Sequence, residues 1–88
     1  MCAVVADFSF EIPSMPGYVA RGWAKAVEER GRVFLDDWEV DRVERGGVNL
    51  EGDSFALARS RAIDAILREQ ISLRELMEIE SVPVQCRP

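Results

Sequence analysis

Tyr18-Val-Ala-Arg-Gly-Trp-Ala-Lys-Ala-Val-Glu-Glu-Arg30 can fold in two ways, and the choice sets the number of strands in the chain. As a helix it stacks Val19, Trp23 and Val27 at i,i+4, gathers Ala20, Ala24 and Ala26 nearby, and meets Gly31 as a C-terminal stop. As a strand it puts the same Val19, Trp23 and Val27 on one face, because a spacing of four satisfies both periods. Alanine content and the Glu-Glu-Arg-Gly ending favour helix, whereas Tyr18, Trp23 and the following Arg32–Leu35 run suit a hairpin. Gly22 weakens both. Strand is preferred, because a helix here would leave only two strands to make a sheet.

Upstream, Cys2–Ile12 reads as a half-buried strand. Val4, Ala6, Phe8, Phe10 and Ile12 share one face and Asp7, Ser9 and Glu11 the other, with Val5 as the exception. Pro13 ends the run, since it has no N–H for a ladder, and Pro13–Gly17 is a turn-rich linker. Downstream, Val33–Val43 reads as a strand whose alternation slips at Asp36-Asp37, as a bulge would make it. The competing reading is a short helix capped by Asp36, with Glu39 in capping-box position. Gly46-Gly47 makes a turn and Val48–Leu50 a short returning strand.

Gly52–Gln70, GDSFALARSRAIDAILREQ, is the main helix of the chain. At about 100° per residue, Phe55, Ala58, Ala62, Ala65 and Ile66 fall on one side, with Ile63 and Leu67 widening the stripe. Ser60, Arg61, Asp64 and Arg68 fall opposite, with Asp64 and Arg68 spaced for an i,i+4 ion pair. Asp53 or Ser54 is expected to cap the first turn. Ser72-Leu73-Arg74-Glu75 is a capping box that opens a short second helix carrying Leu73, Leu76 and Met77 inward; Pro83 stops it and 82–88 reads as a tail. The expected architecture is a single α+β domain, 1–88, with an antiparallel sheet of about three strands over 2–50. The main helix packs across one face and residues 53–80 are mostly helical.

Composition narrows the function classes. Sixteen acids against eleven bases give a net charge of −5, which disfavours a protein that works by neutralising phosphates. The chain has no histidine, which removes His-based acid–base chemistry, His-activated nucleophiles and most zinc sites. Six serines stand outside any nucleophile motif. Cys2 and Cys86 are far apart in sequence and read as free thiols of a reducing cytoplasm. Met1–Ala6 lacks the basic start of a secretory leader, and no apolar run approaches membrane-spanning length. No metal or cofactor is expected. Leu67–Val84 looks like the opening of a helix-turn-helix, but it offers no basic recognition helix.

Asp36, Asp37, Glu39 and Asp41 are the most concentrated chemistry in the chain. The plain reading is a solvated strand face, neutralised by Arg42 and Arg45. The functional reading is a docking surface for a protein with a basic surface, with Trp38 in its midst as an interface residue. A divalent-metal or acid–base site is the third use, although the run lacks the glycine and terminal glutamate of a calcium loop. Trp23 and Trp38 both read first as core. Arg59 falls inside the apolar stripe and is expected to lie flat, with its head at a sheet edge.

Phe10-Glu11-Ile12-Pro13-Ser14-Met15-Pro16-Gly17-Tyr18-Val19, with Gly22 beyond it, resembles the strand-and-turn signature of HicB-type antitoxins. Gly52-Asp53-Ser54 is similar to the start of that family's next helix. Ser14 stands where the family has Asp, and residues 23–51 separate two pieces that the family joins closely. The resemblance implies an antitoxin that covers a small basic ribonuclease toxin. Taken together, the residues describe a small acidic, non-enzymatic, cytoplasmic binding protein acting on another protein, with no direct nucleic-acid or membrane contact and with homodimerisation allowed. Chains of this kind are common on prophages and mobile elements. The alternatives are the antitoxin, a metal-dependent enzyme using the Asp36–Asp41 carboxylates, and a structural homo-oligomer.

Overall fold

The computed structural model describes residues 2–80, and the pairing of Cys2 with Cys86 and the 82–88 tail lie outside the described residues. Residues 18–29 are a strand. Arg30 and Gly31 both adopt positive φ, 55° and 77°, which gives a two-residue turn of the mirror-image kind and pairs Glu29 with Arg32. The alanines that suggested helix are one face of this strand. Ala20, Gly22, Ala24 and Ala26 are all buried, and their small side chains let helices approach the sheet closely.

The elements run β1 (Cys2–Glu11), β2 (Tyr18–Glu29), β3 (Arg32–Arg45), β4 (Val48–Asn49), α1 (Gly52–Leu67) and α2 (Leu73–Glu80). The strands form one antiparallel meander in the order β1-β2-β3-β4, so the sheet has four strands, the last of them two residues long. The short helix considered over Asp36–Val43 does not form. Both helices cover the same face of the sheet, α1 over β3 and β2, α2 over β1 and β2. Between the layers lie Phe8, Phe10 and Ile12 of the first strand and its turn, Val40 and Val43 of β3, Ala58 and Ala62 of α1, and Leu73 and Met77 of α2.

Two bulges shape β3. The register with β2 skips one residue at Asp36 and another at Asp41, so the slip read at Asp36-Asp37 is real and has a second counterpart. Gly22 lies beside the second bulge. A Cβ there would run into the Glu39 carbonyl oxygen and come within 2.8 Å of Phe8 Cζ. The phenylalanine, directly opposite in β1, covers the glycine instead.

Three local expectations are corrected. Glu51, not Asp53 or Ser54, is the N-cap of α1 and makes no side-chain cap bond; Asp53 lies in the first turn, where its negative charge is favourable against the positive end of the helix dipole. Leu67 is 68% exposed and does not extend the buried stripe. Trp23 is not core, because the face it shares with Val19 and Val27 is the one the helices leave open. Elsewhere Asp64 and Arg68 pair at 3.1 Å, and the Glu75 N–H donates to Ser72 Oγ at 3.4 Å. The end of α1 is a Schellman motif: Gln70 N–H donates to the Ala65 carbonyl at 2.9 Å and Glu69 N–H to the Ile66 carbonyl at 3.1 Å.

Gly22→Ala should lower the unfolding free energy by at least ~2 kcal/mol in urea denaturation, since backbone must move to admit the methyl. Glu69 holds φ 59°, a conformation costly for a residue with a side chain. Glu69→Gly should therefore raise stability by about 0.5–1 kcal/mol in the same assay.

Candidate functional site

Because both helices lie on one face, the other face of the sheet is left uncovered by them. Strand alternation and register place its side chains in cross-strand rows. Ala3, Val27 and Phe34 form one row, and Val5, Lys25 and Asp37 the next. Asp7, Trp23 and Glu39 follow, then Ser9, Arg21 and Arg42, and last Glu11, Val19 and Glu44. Val5 and Phe34 are 55% and 44% exposed, while Trp23 is half-buried among charged neighbours. The sequence reading missed this apolar component. Its signal was the period-2 set Val19, Trp23, Val27, which points away from the alanines.

The acidic run is divided by the bulges. Asp36 and Asp41 are the extra residues of the two bulges, while Asp37 and Glu39 stand in the regular alternation between them. Trp38 does not join the acids. It lies opposite Ala24, half-buried against the core on the helix-covered side.

Cations from β2, β3 and α1 pair with acids in this run and with Glu44 beyond it. Lys25 Nζ is 3.3 Å from Asp36, Arg21 Nε is 3.1 Å from Glu44, and Arg42 Nε is 3.6 Å from the same Glu44 carboxylate. The Arg21 contact is short but off line for a hydrogen bond. The Lys25–Asp36 pair is substantially exposed and contributes at most ~1 kcal/mol, while the Glu44 carboxylate shared by Arg21 and Arg42 is mostly covered. Among the described residues, Asp7, Asp37 and Asp41 have no ion-pair partner.

Arg59 lies where its position in the stripe predicted. From α1 its Nε donates to the Val40 carbonyl at 2.7 Å, on the outer edge of β3, and its Nη2 reaches to 4.0 Å from Glu39. The carbonyl freed by the neighbouring bulge thus receives a charged donor. Arg45 closes the far end, donating to the Tyr18 hydroxyl at 3.0 Å with its guanidinium 5.1 Å from the ring centre.

Two shallow grooves lie away from this face. One, of about 390 Å³, runs between Leu35, Ile66, Ile71 and Leu73; the other, of about 410 Å³, follows the outer side of α1 between Leu57 and Leu67. Each is lined by a single carboxylate, Glu69 or Asp64, so neither presents a carboxylate pair. Among the described residues, no three acidic or cysteine side chains converge as a metal would require, and no helix is long and apolar enough to cross a membrane. The Pro13–Gly17 segment forms the β1–β2 turn, and Gly52-Asp53-Ser54 opens α1, with β2, β3 and β4 between them.

Comparison with known protein families, with curated proteins and with solved structures found no match.

Arg59→Met keeps the apolar stem but removes the donor to Val40. It should cost about 1–2 kcal/mol in thermal or urea unfolding, and Arg59→Lys should recover only part of that.

Proposed function

We propose that this chain is a small, non-enzymatic cytoplasmic binding protein that docks another protein, one with a basic surface, on the open face of its sheet. The observation that carries this reading is the composition of that face. Asp7 and Asp37, without cation partners among the described residues, share this face with half-buried Trp23 and exposed Val5 and Phe34, and Asp41 stands in the bulge of β3. An aromatic and aliphatic centre within a charged rim is what a protein interface needs, since apolar contacts hold the partner and charges select it. Direct nucleic-acid binding is disfavoured by the −5 charge.

The antitoxin resemblance is the narrower form of the same reading, in which the basic partner is a ribonuclease. It is supported by the P-x-x-P-G turn between two strands and by the Gly-Asp-Ser start of the main helix.

Capture on the tagged chain from its native extract, after nuclease treatment, tests the proposal. One stoichiometric basic protein should be retained, and should elute as salt rises from about 0.05 to 0.5 M. Asp37→Asn with Asp41→Asn should weaken that complex about tenfold, and Trp23→Ala should weaken it further. Retention of no protein would overturn the reading. Saturable thermal stabilisation by Mg²⁺ or Ca²⁺, abolished by the same Asn substitutions, would favour the carboxylate enzyme instead.

A further inference from the structure

The sheet has two edges of different character. Along β3, the bulges at Asp36 and Asp41 break the regular ladder, Arg59 takes up the Val40 carbonyl, and Leu50 N–H takes up the Val43 carbonyl at 2.8 Å. That edge is blunted in the ways sheets use to avoid further pairing. The β1 edge is not. Its register with β2 is unbroken from Cys2 to Glu11, it contains no bulge and no proline, and among the described residues no strand pairs with its outer side.

The phase of its free groups follows from one hydrogen bond. Ile12 N–H donates to the Tyr18 carbonyl at 2.9 Å, so Ile12 points its backbone groups toward β2. Backbone direction alternates along a strand, so Val4, Ala6, Phe8 and Phe10 also face β2, and Ala3, Val5, Asp7 and Ser9 direct N–H and C=O outward. Val5 sits in the middle of this outward set. It is the residue that broke the apolar–polar alternation of β1, and it is 55% exposed.

We propose that the β1 edge pairs antiparallel with β1 of a second copy of this chain, about a two-fold axis at Val5. This register opposes Val5 to Val5, covering the exposed side chain with its own counterpart, and sets Val4 opposite Ala6 on the helix-covered side and Ala3 opposite Asp7 on the open side. Charge selects it. With the axis at Val5, the two Asp7 carboxylates are four residues apart along the strands, about 13 Å. That exceeds the screening length of about 8 Å at physiological salt. An axis at Asp7 would bring them directly opposite, about 5.5 Å apart between Cα atoms, with no compensating cation. Pairing at Val5 joins the two meanders into one continuous sheet and leaves the blunted β3 edges at its two ends.

Sedimentation velocity of the full chain over about 1–500 µM, with backbone amide exchange at the two extremes, tests this. The expected result is a concentration-dependent dimer. The Val5 and Asp7 amides should be protected only at high concentration, while Val4, Ala6 and Phe8 stay protected throughout. Val5→Lys, which opposes two ammonium groups on the axis, should raise the dimer dissociation constant about tenfold or more. Val5→Pro should act likewise without disturbing the ladder to β2, because the lost N–H points outward. A monomer at every concentration would overturn the inference, and so would a dimer indifferent to both substitutions. Protection of Val5 and Asp7 that survives dilution would also overturn it, by showing the edge covered within one chain. Added salt should strengthen this self-association of like-charged chains but weaken the basic-partner complex, so the two proposals fail separately.

Discussion

Gly22 has no Cβ, and the Glu39 carbonyl lies against the place where one would be. That approach holds β2 and β3 together at the point where β3 carries an extra residue, Asp41. The bulge bends β3, buries Val40 and Val43 beneath α1, and leaves the Val40 carbonyl on the edge for Arg59. From the other side Phe8 lies over the same glycine, so the first strand is fitted to the gap as well. One missing methyl group thus coordinates three strands and the main helix.

Alternation made β1 legible, because its buried and exposed residues differ strongly in polarity. The capping box at Ser72 and the ion pair at Asp64 and Arg68 were legible because they are local. The central strand was not, because the inner side of β2 is alanine and glycine. Helix propensity and close helix–sheet packing ask for the same residues here, and Ala58, Ala62 and Ala65 on α1 meet the sheet in the same way. Trp23 alternates with these small residues along β2 and so turns to the open side, whereas Trp38, opposite Ala24, is the indole that packs under the helices. The acidic run could be found by counting charges. Its division could not, since only the register reveals that Asp36 and Asp41 are surplus to the ladder and that Trp38 turns the opposite way.

The open face combines apolar and charged groups in one cross-strand pattern. Lys25 and Arg21 stand in the central strand and hold acids from β3, which keeps opposite charges interleaved at the middle of the surface. Asp7 and Asp37 flank that middle, and Phe34, opposite the buried Val27, continues the apolar component toward the hairpin end. For the partner proposed above, specificity would come from matching this pattern of charge rather than from net charge alone.

The meander has a kinetic consequence. Each strand pairs with its neighbour in sequence, and the Arg30-Gly31 and Gly46-Gly47 connections close with two residues each. Loop-closure entropy for these hairpins is therefore small, and pairing proceeds through contacts of low sequence separation. The helices come after the sheet in the chain and have only one alanine-lined surface to condense on. The search for the native arrangement is thereby reduced to the sliding of two amphipathic segments over a ribbon whose order the turns have already set.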